Sequence, residues 1–68
     1  MTPLETVAAE FVALYAQDVR EYPDAFKESV RAAPEENARQ VIDGLDVFEV
    51  REMLRFLKHE RRQIARHL

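Results

Sequence analysis

Five basic residues, Arg51, Arg55, Lys58, Arg62 and Arg66, are separated by 4, 3, 4 and 4 positions. That spacing follows the helical period, so on a helix they form one narrow cationic stripe. His59 lies at its edge, Phe48 falls on the same side, and Glu52 and Glu60 fall outside it. A row of guanidinium and ammonium groups pairs with carboxylates or phosphates. An exposed aromatic beside such a row is the kind of residue that interfaces use as an anchor. Three uses of the stripe compete. It is a solvated face balanced by the helix dipole and by acids of the same chain, a docking face for an acidic protein surface, or a set of phosphate contacts on nucleic acid.

Charge is segregated along the chain. Residues 1–49 hold 11 acidic and 4 basic side chains, a net of −7, whereas residues 50–68 hold 2 acidic and 6 basic ones, a net of +4. The whole-chain charge of −3 conceals the split and argues against non-specific DNA binding, while leaving room for a local basic patch.

Residues suited to catalysis are sparse. Ser29 is the only serine, and no histidine stands near it in sequence. His59 and His67 are two turns apart on one predicted helix, about 12 Å along its axis, too far to share a metal. His59-Glu60 begins like a zinc-protease motif, but Gln63 occupies the place of the second histidine. Asp43-Gly44-Leu45-Asp46 is too short for a calcium loop, and Glu35-Glu36 and Glu49 with Glu52 are accounted for as acids of helix starts. Neither a glycine-rich phosphate loop nor a cysteine occurs. The expectation is a non-catalytic protein with no cofactor, no metal and no small-molecule substrate. A helix-turn-helix over Arg39–Leu57 keeps a fitting Gly44, but has Asp43 and Gln40 where the motif wants an apolar and a small residue.

The elements that position the stripe are helical. Gly44 is the only glycine, fewer than the turns of a sheet protein require, and most residues are helix formers. Thr2-Pro3-Leu4-Glu5 reads as a capped helix start, and apolar residues recur with helical period from Leu4 to Tyr22 before Pro23 stops the run. A short helix is predicted over Asp24–Ala33, and a third over Glu35–Asp43 with Pro34 before it and Gly44 as its C-terminal cap. Asp46 and Glu49 cap a fourth, expected from Val47 to near Leu68, with the apolar stripe Val47, Val50, Met53, Leu54, Leu57, Ile64 and Leu68. That helix would measure about 33 Å, against a radius of gyration of about 11 Å for a globule of this length. Its last turns should therefore extend past the core.

The 68 residues allow a single helical domain, residues 1–68, folded as an all-α, compact three- to four-helix bundle with a long C-terminal helix. The predicted core is Leu4, Val7, Phe11, Leu14, Tyr15, Val19, Phe26, Val30, Val41, Ile42, Leu45, Val50, Leu54 and Leu57. Phe48 and Phe56 lie off the main stripe and either pack under the short helices or face outward. Asp18 and Arg61 interrupt the apolar faces of the first and last helices, so they either pair or reach to solvent.

A core this small raises the expectation of self-association. Ile64 and Leu68, past the end of the core, are the residues a homodimer would cover. The start MTPLETVAAE lacks the basic and apolar regions of a signal peptide, and no apolar run is long enough to span a bilayer, so a cytoplasmic location away from membranes is expected. The function expected is that of a small regulatory or adaptor protein. It would bind a protein with an acidic surface through Arg51, Arg55, Lys58, His59, Arg62, Arg66 and Phe48. The alternative is a nucleic-acid-binding transcriptional regulator using the same stripe.

Overall fold

The computed structural model describes residues 2–67, with side chains described as far as Gln63. Helix α1 (Pro3–Glu21) leads into a 3-10 turn (Pro23–Ala25), followed by α2 (Glu28–Ala32), α3 (Pro34–Val41) and the long α4 (Val47–His67). No strand occurs among the described residues. The all-α bundle and its long last helix are therefore as the composition and periodicity require. None of the helices, searched over the described residues, is long and apolar enough to cross a membrane.

Local chemistry explains the boundaries. The Glu5 amide donates to the Thr2 hydroxyl oxygen at 3.1 Å, and that hydroxyl donates to the Glu5 carboxylate at 3.2 Å. At α4 the reciprocal box is complete: the Glu49 amide donates to Asp46 Oδ1 at 2.8 Å and the Asp46 amide to Glu49 Oε1 at 3.2 Å. Gly44 adopts φ 78°, the left-handed conformation that turns the chain from α3 towards α4.

The helix expected over Asp24–Ala33 is shorter and interrupted. Phe26 (φ −126°, ψ 149°) and Lys27 (φ −65°, ψ 155°) are extended, which separates the 3-10 turn from α2. Arg31 supports the bend, donating from Nη1 to the carbonyl oxygens of Pro23 and Phe26. Phe26 also meets Tyr15 edge-on, with ring centroids 5.9 Å apart. These contacts outweigh the helical preference of so short a segment.

Helix α1 is central. Val7 and Phe11 join Ala38 and Ile42 from the α3 side and Val50 and Leu54 from α4 in one buried cluster. The Tyr15 hydroxyl donates to Asn37 Oδ1 at 2.9 Å, tying α1 to α3, and burial pushes its pKa up. Two predicted core residues, Leu4 and Val41, are instead 39% and 40% exposed. Leu4 lies in the first turn of α1, beside the open Gly44–Leu45 turn. Val41 points about 100° around α3 from Ile42, which faces α1. The radius of gyration is 12.1 Å and the longest extent 35 Å, so α4 runs nearly the full length of the molecule.

Farther along α4, its attachment to α1 is polar. Asp18 is 4% exposed, and its carboxylate accepts from Arg61 Nη1; Arg61 Nη2 also donates to Glu21 Oε2 at 3.3 Å. The two charges that interrupt the apolar stripes therefore pair. Burial pushes the Asp18 carboxyl up, against the pull of the Arg61 guanidinium. A proton is thus held more tightly in the folded than in the unfolded chain. The stability linked to this group falls as pH rises through the window above the ordinary aspartate value.

Three outcomes follow. In urea unfolding, Gly44→Ala should cost about 1 kcal/mol, and the cost is conformational because nothing lies within 4 Å of the added Cβ. A double-mutant cycle of Asp18→Asn and Arg61→Gln should give a coupling of roughly 1–2 kcal/mol, and additivity would reject the pair. The stability of the native chain minus that of Asp18→Asn should decline from about pH 4 towards neutrality; a rise would reverse the assigned sign.

Candidate nucleic-acid or protein interface

The 4, 3, 4 spacing of Arg51, Arg55, Lys58 and Arg62 becomes a physical surface on α4. Together with Leu54 and His59 these residues line one shallow depression of about 400 Å³. The helical period aligns the cations, and the capping box at Asp46 and Glu49 fixes where the period starts. Leu54 belongs to the buried cluster, so the depression has an apolar floor beneath a basic wall.

Neutralisation within the chain is partial. Lys58 Nζ donates to Glu10 Oε1 at 3.1 Å, across the seam between α4 and α1. Arg55 Nη1 lies 3.4 Å from Glu52 Oε1, one turn back on the same helix. Both pairs are solvent-exposed and contribute at most about 1 kcal/mol each. Arg51, His59 and Arg62 have no acidic partner among the described residues.

Phe48 is 71% exposed and stands two turns before Arg55, on the basic side of α4 but outside the depression. Phe56 is 63% exposed, on the side of α4 turned away from α1. Neither packs under the short helices, because α2 and α3 sit against α1 and leave these positions uncovered. The side chains of Arg66, expected to bind a partner, and of Ile64, expected to self-associate, are not described, and Leu68, expected to self-associate, lies outside the described residues.

A second concavity escaped sequence reasoning. An open groove of about 830 Å³ runs between α1 and the α3 side, floored by Ala9, Val12, Ala13 and Ala16. Arg20, which pairs with Glu35, also lines it. The Arg20 hydrogen bond holds the Glu35 carboxyl below its ordinary pKa. The alanines of α1 are the signal in the sequence, but alanine is so common in helices that the pattern alone marks no groove.

Among the described residues, no three His, Asp or Glu side chains come together to hold a metal ion. Ser29 is exposed on α2. The arrangement on α4 is that of an ion-pairing surface: fixed cations at helical intervals, an apolar floor and a nearby exposed aromatic. No protein-family model, no curated protein and no solved structure matches the chain.

Proposed function

We propose that this chain is a small, non-catalytic regulatory or adaptor module that docks a partner protein with an acidic surface on the basic face of α4. One observation carries the reading: Arg51, Arg55, Lys58, His59 and Arg62 share a single depression, and Arg51 and Arg62 keep charges that no acid of the described chain neutralises. Fixed, unneutralised cations at a protein surface steer oppositely charged partners and set their register. Phe48, exposed on the same side, supplies apolar area to such an interface. Arg66 and a homodimer made through Ile64 and Leu68 belong to this proposal on the strength of the sequence pattern alone.

The nucleic-acid alternative draws on the same stripe. Phosphate contacts by several arginines impose a steep salt dependence, so the two readings separate by experiment.

Charge reversal of Arg51, Arg55 and Arg62 to glutamate should abolish cross-linking to the native partner in cells while leaving the far-ultraviolet circular dichroism unchanged. Cross-linking that survives reversal would reduce the stripe to a solvated face. Binding to a pool of DNA and RNA that weakens sharply between about 50 and 200 mM salt would favour nucleic acid instead.

A further inference from the structure

The basic depression does not end at α4. A neighbouring hollow of about 440 Å³, lined by Pro3, Thr6, Val7 and Glu10 of α1, shares Arg51 and Leu54 with it. The two make one trough along the seam between α1 and α4, with Val7 and Leu54 in its floor. Among the described residues its one acidic lining residue is Glu10, whose carboxylate sits on Lys58.

We infer that this trough receives an acidic amphipathic helix of a partner protein, and that Glu10 occupies on Lys58 the place that a partner carboxylate takes. The inference rests on the docking reading above and deepens it. Charge complementarity selects the occupant. Arg51, Arg55, Lys58 and Arg62 step along α4 by about 6, 4.5 and 6 Å, the intervals of carboxylates on one face of a second helix. An extended strand would present same-side residues at a uniform interval of about 6.7 Å and drift out of step. The apolar floor asks for a leucine-like row beside the acids, which makes the occupant amphipathic. Lys58 then exchanges an internal carboxylate for an external one, and Glu10 acts as a built-in competitor that sets the threshold for binding.

The probe is a fluorescein-labelled, helix-forming peptide carrying glutamates at the same 4, 3, 4 spacing beside a leucine row, with a glutamine twin as control. Fluorescence anisotropy at low salt should show binding of the glutamate peptide and not of its twin. Glu10→Gln should tighten binding by about two- to five-fold, the scale of one exposed ion pair. The same change in a Lys58→Met background should have no effect, which a merely structural role for Glu10 would not produce.

Unchanged or weakened binding by Glu10→Gln, with binding still lost on reversal of Arg51, Arg55 and Arg62, would overturn the competitor role and leave the docking reading standing. Equal binding of both peptides would overturn the assigned partner chemistry. Failure to bind the glutamate peptide, with a DNA duplex bound in its place, would overturn this inference and the docking reading together.

Discussion

Helix α1 has to satisfy two neighbours at once. Its Val7 and Phe11 pack with Ala38 and Ile42 on the α3 side and with Val50 and Leu54 of α4, and among the described residues α1 is the helix with extensive contact to both α3 and α4. In a chain this short the apolar surface buried on folding leaves a thin margin over conformational entropy. The bundle is therefore arranged around one helix used on two sides. Two of its polar attachments, Tyr15 to Asn37 and Asp18 to Arg61, lie on those same two sides and fix the rotation of α1 between its partners.

That arrangement determines what α4 can offer. A helix held along a single stripe presents the rest of its circumference to water, and the sequence fills that circumference unevenly. Cations gather on the flank next to Glu10, while Glu49, Glu60 and Phe56 occupy other directions. The exposed cationic flank is thus a consequence of sparse packing. A third long helix laid across α4 would have buried the residues proposed to act.

Much of this was legible in the residues. The capping pairs Thr2/Glu5 and Asp46/Glu49 and the stops at Pro23 and Gly44 mark helix ends through strictly local chemistry, and the structure places the ends within about two residues of them. The alignment of Arg51, Arg55, Lys58 and Arg62 follows from periodicity alone. Other features depend on contacts between elements. Phe26 packs edge-on against Tyr15 of α1, eleven positions away, a contact that no window of ten residues contains. Leu4 and Val41 have the right periodicity for burial but are only partly covered by their neighbours. The Ala9–Ala16 groove and the Glu10–Lys58 contact required knowing which helices are adjacent.

The Glu10–Lys58 and Asp18–Arg61 contacts join residues 48 and 43 positions apart, so the first long helix closes upon the last. During synthesis Val7 and Phe11 emerge before Val50 and Leu54, which complete their cluster. The cluster therefore stays open on one side until α4 has been made. Closure of the core and display of the cationic flank then depend on one and the same helix, α4.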